Sequence, residues 1–377
     1  MNFKKVTIGL FFTIIVLMSL ATFLLPKKSF SQLENRSLAR TPRLTADSFF
    51  DKSFMENAES FMADHIVFRG GFSSAQTRLE MLIGKREING VFIAEDMLLE
   101  NIQEPSEVIT KSNVEAINKF AKKYSGIIDT QMMLVPTALE FYKVNAPPMA
   151  KVFDQTAYIK TVYDKLETVT TTDAYSSLAS STDDYIFYRT DHHWTSYGSY
   201  VGYSTLAKSL GLKPATIDMF NIEHASHDFL GTLYSKIIYG EKLVDNIDLY
   251  HYAQGDVVTD VIKYTDKNTQ TYPSIFFKEN LEIKDKYTVF LGENSPVVKI
   301  KTSVTNGKKI IIFKDSYAHS LMQFLPLHYE EILLVDLRYL HKPIEEYAKV
   351  TDYEQALFLY NAGGFAKDSS VKQVSLF

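Results

Sequence analysis

Residues 308–320 read KKIIIFKDSYAHS, and two similar apolar runs follow at roughly twenty-residue intervals, EILLVD at 331–336 and ALFLY at 356–360. Each run is short and nearly continuous, and helix-compatible segments separate them. That rhythm predicts β-α-β-α-β. Strands without a polar face imply a mostly parallel sheet covered on both sides, so the fold class is α/β. MMLVP at 132–136 reads as another buried strand.

Ligands of open parallel sheets collect at the carboxyl ends of the strands. The first of the three strands runs straight into Lys314-Asp315-Ser316, with a helix expected from Tyr317. A serine at such a turn is exposed as a nucleophile, and the backbone N–H groups after it lie near a developing oxyanion. No G-x-S-x-G is present, and taken alone Ser316 reads first as a plain helix cap.

A serine nucleophile needs a base, and the base needs a group to hold its tautomer. Residues 186–200, IFYRTDHHWTSYGSY, place Asp191 two positions before His193 and set the only tryptophan, Trp194, beside it. The Asp191 carboxylate can hold one nitrogen of His193 while the other faces substrate. His192 is expected to point the opposite way. Asp and His also suit zinc or iron, but adjacent histidines rarely share an ion and no third-ligand spacing is present, so no metal is expected. The other seven histidines are scattered singly.

The chain has 377 residues, a net charge of -5 and no cysteine. The charge argues against a nucleic-acid binder, and disulfides and thiolate chemistry are excluded. Val6 to Leu25 carries no charge, enough helix to span a bilayer core of about 30 Å. It reads as a signal anchor or a long signal peptide, and the absence of an obvious small-residue cleavage site favours the anchor. Lys27, Lys28, Arg36, Arg40 and Arg43 follow it, which on a positive-inside count points that side to the cytoplasm. The organisation expected is an anchor over 1–28, a linker over 29–48 and one domain over 49–377. Within that domain, helix is expected from Phe49 to about Gly84, from Ser112 as a capping box with Glu115, and from Phe153 to Leu166, with KYTVFLG at 286–292 as a short strand.

TDHHWTSYGSY together with KDSYAHSLMQFL resembles the bacterial DHHW protein family, relatives of the alginate O-acetyltransferases of the AlgX and AlgJ type. LENRSL, DHIVFRGGF, GKREINGVFI, LVPTALEFY, LLVDLRYL and ALFLYN extend the resemblance over nearly all the chain beyond the anchor. The resemblance implies an extracytoplasmic SGNH-hydrolase-like three-layer fold, circularly permuted because Asp-x-His precedes the serine. It assigns Ser316 as nucleophile, His193 as general base and acid, Asp191 as the residue that orients it, and Trp194 as packing. The implied reaction moves an acetyl group through an acyl-serine to or from an exported polysaccharide, without cofactor, with a membrane-bound acyltransferase partner as donor. Lys314-Asp315-Ser316 departs from the Gly-Asp-Ser of the SGNH-hydrolase set. The oxyanion donors are therefore open, with Tyr317, Asn294 and Asn361 as candidates and Arg338 and Tyr142 as candidate lining. The alternative is a non-catalytic carbohydrate-binding or assembly factor.

Overall fold

The computed structural model describes residues 3–238, 243–265 and 268–377. The chain divides into two compact units, the first made of residues 3–89 with 234–238 and the second of 90–233 with 243–377.

The first unit opens with the helix Phe3–Leu24, 22 residues long and apolar enough to cross a membrane. Helices Ser53–His65 and Arg69–Leu82 follow. The helical stretch expected from Phe49 to Gly84 breaks twice, at Lys52 with a φ of 67° and at Phe68 with a φ of 62°. Gly70 and Gly71 lie just after the second break, inside the helix that follows it. LENRSL and DHIVFRGGF meet here. Arg36 pairs with Glu34 at 2.7 Å and with Asp64 at 2.5 Å, and Arg69 pairs with Glu34 at 2.6 Å. The Arg36 guanidinium holds the Asp64 carboxyl down at about 2. The stretch expected as a linker is thus tied to the helix that ends at His65.

The second unit is built on a sheet whose strands are β1 (Asp129–Val135), β2 (Thr170–Thr171), β3 (Val258–Tyr264), β4 (Thr269–Tyr272), β5 (Val297–Thr302), β6 (Lys309–Lys314), β7 (Glu331–Val335) and β8 (Gln355–Asn361). Their order is β4-β3-β5-β7-β6-β8-β1-β2. From β7 to β2 all neighbours are parallel, with Ile312 opposite both Leu334 and Leu357. β5, β3 and β4 extend this edge in antiparallel fashion. The expectation of a mostly parallel sheet therefore holds for its apolar part. The antiparallel strands β3 and β5 mix buried and partly exposed positions, as strands with one wetter face do.

Alternate residues of the parallel strands feed two cores. Met133, Val135, Ile310, Ile312, Leu334 and Leu357 face one, shared with Tyr203 and Leu206 of the helix Ser196–Ser209. Met132, Leu134, Ile311, Phe313, Leu333 and Phe358 face the other, shared with Val114, Ile117 and Phe120 of the helix Glu107–Lys123. That helix starts earlier than the Ser112 capping box suggested. Ser106 is its cap, accepting from the Ile109 amide at 3.3 Å. The helix expected over Phe153 to Leu166 spans Gln155–Tyr163, capped by Asp154. KYTVFLG is not a strand. Lys286–Val289 forms a 3₁₀ turn, and Leu291 and Gly292 both take positive φ.

A methyl group on Gly202 would stand 2.6 Å from Cζ3 of the fully buried Trp194 ring, in a helix with no room to yield. Gly202→Ala is expected to lower unfolding stability by about 1–3 kcal/mol, seen as a lower Tm in circular dichroism. An unchanged Tm contradicts this packing.

Candidate active site

Strand β6 lies between β7 and β8, so the chain leaves it on one side and returns on the other, and its carboxyl end is the switch point at which ligands of such sheets collect. The Asp315 amide donates to the Leu359 carbonyl of β8 at 3.2 Å, then Ser316 turns into the short helix Tyr317–Leu321. The Ser316 side chain makes no capping bond. Its Oγ lies 2.7 Å from Nε2 of His193.

The stretch bearing His193 is a tight loop. The Tyr188 amide donates to the His193 carbonyl, the Thr195 amide donates to the Ile186 carbonyl, and Thr195 caps the helix Ser196–Ser209. Asp245 holds the loop from beneath. Its buried carboxylate accepts from the Arg189 amide at 2.7 Å, from the Thr190 amide at 2.8 Å, and from the Thr190 and Tyr185 hydroxyls. Asp191 is as fully engaged. Oδ1 accepts from Nδ1 of His193 at 2.6 Å and from the His193 amide at 3.0 Å, and Oδ2 accepts from the Thr232 amide and hydroxyl at 2.8 and 2.9 Å. Gly231 must lack a side chain, because a Cβ there would stand 2.3 Å from the Asp191 Cβ.

With Nδ1 donating to Asp191, Nε2 carries the lone pair and accepts the Ser316 hydroxyl. The tautomer is set by the hydrogen bonds. Burial and then the neighbouring His192 lower the His193 pKa to about 4, against the opposing pull of Asp191. Burial pushes Asp191 up, but the two histidines and the hydrogen bonds hold it well below the ordinary carboxylate range. At neutral pH the pair is therefore a carboxylate and a neutral imidazole.

Sequence reasoning missed Tyr287. Its ring stacks on His193 with centroids 3.7 Å apart and planes 7° from parallel, and its hydroxyl donates to the Ser316 carbonyl at 3.1 Å. One side chain thus touches both the base and the backbone of the serine. Trp194 makes a second tie, donating from Nε1 to the Tyr317 carbonyl at 3.1 Å.

Several expected side chains lie elsewhere. His192 does not point away from His193, because residues 191–193 form a bend rather than a strand. The two rings are 3.9 Å apart, and His192 Nδ1 meets the Thr232 hydroxyl at 2.7 Å. Tyr317 and Asn361 are committed to Asp315. Its carboxylate accepts from the Tyr317 amide at 2.9 Å and from the amide and Nδ2 of Asn361, each at 2.7 Å, while Asn361 Oδ1 caps the following helix at Gly364. Asn294 is exposed on the loop before β5. Among the described residues no acceptor takes the Ser316 amide, which leaves it as the backbone donor at the turn. Arg338 is locked on Asp336 by bonds of 2.8 and 2.7 Å, above the buried Lys314. Tyr142 donates to the Thr182 carbonyl at 3.2 Å and packs edge-on to Phe187.

Ligand atoms of Asp191, His192 and His193 lie within 4.8 Å of one another. The Asp191 oxygens and both Nδ1 atoms are already bonded to each other or to Thr232. A metal ion would have to break the Asp191–His193 bond to bind there, so the donor set does not fit a resident ion.

Titration of the histidine rings by NMR is expected to place His193 near 4, and Asp191→Asn is expected to move it lower still by removing the carboxylate that favours the cation. The folded chain is thereby the weaker proton binder. Its contribution to stability is complete above the ordinary value of 6.5 and is lost as pH falls through about 4. A His193 that titrates above 6.5 contradicts this electrostatic picture.

The profile of the DHHW protein family matches residues 89–335. Among solved structures, a DHHW family protein from Eubacterium siraeum aligns with a TM-score of 0.67 at 24% identity, covering 77% of this chain and 96% of that one. Bacillus cereus PatB1, solved also with a sulfonyl adduct, aligns at 0.65 and 16% identity over 74% and 98% of the two chains. The O-acetyltransferase domain of Pseudomonas putida AlgJ is more distant, at 0.46 and 13% over 76% and 99%. A search of functionally curated proteins returns no match. These structural likenesses concern the fold, whereas the profile match covers most of the chain: the chain belongs to the DHHW protein family.

Proposed function

We propose that this protein is a membrane-anchored, extracytoplasmic serine acyltransferase or esterase that adds or removes O-acetyl groups on an exported or cell-surface polysaccharide. The observation that carries the reading is the continuous hydrogen-bonded line from Asp191 through His193 to Ser316 at the carboxyl end of β6. Its parts match the needs of acyl transfer: a nucleophile, a neutral base within reach, and a buried carboxylate that fixes the tautomer. The order of Asp-x-His before serine fits a circularly permuted SGNH-hydrolase arrangement.

In this reading Nε2 of His193 takes the Ser316 proton as Oγ attacks the acetyl carbonyl. Asp191 and the face of Tyr287 stabilise the imidazolium. The Ser316 amide donates to the tetrahedral oxyanion. His193 then protonates the departing oxygen, leaving acetyl-Ser316. A sugar hydroxyl or water enters along the same path, gives its proton to His193 and takes the acetyl group, and His193 returns that proton to Ser316 Oγ as the acyl-serine bond breaks. A membrane-bound acyltransferase is the proposed source of acetyl groups. The sulfonyl adduct of PatB1 is the kind of product that a reactive nucleophile gives, which makes sulfonylation a natural probe of Ser316.

The tests use the full chain in detergent. Phenylmethylsulfonyl fluoride should label Ser316, as read by peptide mass spectrometry, and wild-type protein should release p-nitrophenol from p-nitrophenyl acetate. Ser316→Ala and His193→Ala should each lose about ten-thousandfold, with the double variant no worse than either. Ester turnover by wild type should be constant from pH 7 downward until His193 protonates near 4. Tyr287→Phe keeps the stacked ring and is expected to retain most activity, whereas Tyr287→Leu should lose about tenfold or more through the kcat of ester turnover. Equal turnover by Ser316→Ala overturns the proposal, and a folded wild type without turnover that still binds glycan favours a carbohydrate-binding factor.

A further inference from the structure

The helix Phe3–Leu24 is exposed along most of its length, but Thr22, two residues from its end, is buried. What covers Thr22 is the turn between the next two long helices of the same unit. The Val67 amide donates to Thr22 Oγ1 at 3.1 Å, and His65 Nε2 bonds to the Lys28 carbonyl at 3.1 Å. These contacts fix the level of the turn relative to the span. Thr22 lies only about 3 Å along the axis from Leu24, so a backbone bound to it sits beside the final apolar turn, level with Phe23, Leu24 and Leu25.

At that level the turn displays the side chains that lipid would cover. Phe68 is 75% exposed, and Ile66 is 41% exposed. Phe68 takes a left-handed backbone conformation, which a bulky aromatic residue rarely adopts. A cavity of about 490 Å³ opens alongside, its apolar wall formed by Leu25, Phe30, Leu33, Ile66, Val67 and Phe68 and its polar wall by Lys27, Lys28 and the carboxylates of Glu34 and Asp64, which are paired with Arg69 and Arg36. Lys28 is exposed and follows the apolar run by three residues, the position at which a cation meets lipid phosphate.

We propose that the turn Ile66–Phe68 and the cavity beside it form a phospholipid-binding face in the interfacial layer of the membrane, with Ile66 and Phe68 among the upper acyl chains and Lys28 at the phosphates. The face belongs to the same compact unit as the anchor, and its occupant is the bilayer through which that anchor runs. The inference rests on reading Phe3–Leu24 as a membrane anchor. It adds a second point of attachment, which limits the rotation of the first unit about the anchor.

The chain has no cysteine, so a single introduced thiol is a unique labelling site. Phe68→Cys, Val16→Cys and Val144→Cys are spin-labelled in the full chain and placed in nanodiscs of phosphatidylcholine with phosphatidylglycerol. Relaxation by oxygen, which partitions into lipid, is compared with relaxation by a water-soluble nickel chelate. Val16 reports the middle of the anchor, and the exposed Val144 of the second unit is the solvent reference. The expected result is a Phe68 label at least several-fold more sensitive to oxygen relative to nickel than Val144, at a depth between that of Val16 and the lipid phosphates. With Val16 deep, a Phe68 label as nickel-accessible as Val144 overturns the proposal, and so does one shielded from both reagents, which means protein covers it. A nickel-accessible Val16 overturns the anchor reading, and the proposal falls with it.

Discussion

The geometry of the candidate site depends on one buried carboxylate. Asp191 has no solvent to satisfy it, so all its acceptor capacity is met by the His193 amide and ring and by Thr232. A buried charge so satisfied is costly to disturb, because loss of any donor leaves it exposed to desolvation without compensation. The constraint spreads outward. Gly231 must be glycine to let the Thr232 segment approach, and Asp245 must hold Thr190 so that the loop presents Asp191 at the right angle. Trp194 must be sunk against Gly202 for its indole to reach the Tyr317 carbonyl.

The second requirement is that the loop meet a strand end from far along the chain. Ser316 and His193 are 123 residues apart, and the sheet brings them together because β6 is held in register by parallel neighbours on both sides. The apolar character of β6, β7 and β8 is therefore a condition of the contact between Ser316 and His193. Parallel strands buried on both faces leave little freedom to slip, since a one-residue shift would exchange the two cores. Tyr287 closes the arrangement by lying flat on the imidazole while bonding to the serine backbone, so that His193 and Ser316 keep their separation.

Much of this was legible in the sequence because it is local. Continuous apolar runs named β1, β6, β7 and β8, and the two short motifs named the three residues that the fold brings into line. What was not legible depends on distant partners. Tyr287 sits in a run that reads as a strand, and no pattern near it signals an imidazole contributed from almost a hundred residues earlier. Asp245 and Thr232 were hidden for the same reason. The expectation for Asn361 failed in an instructive way, since an asparagine after a strand suits an oxyanion donor and a helix cap equally well. Here its oxygen caps Gly364 and its nitrogen serves Asp315. β3 and β5 were obscured by their mixed burial, and the break at Phe68 because the nearby glycines, Gly70 and Gly71, lie inside the next helix rather than at the break.

The account stands or falls on a covalent acyl-serine. Acid quenching of the full chain during reaction with an excess of p-nitrophenyl acetate, followed by peptide mapping, tests it directly. The account predicts an acetyl group on Ser316, absent from His193→Ala quenched at the same time. Acetylation confined to lysines, or equal acetylation of Ser316 without His193, would contradict it.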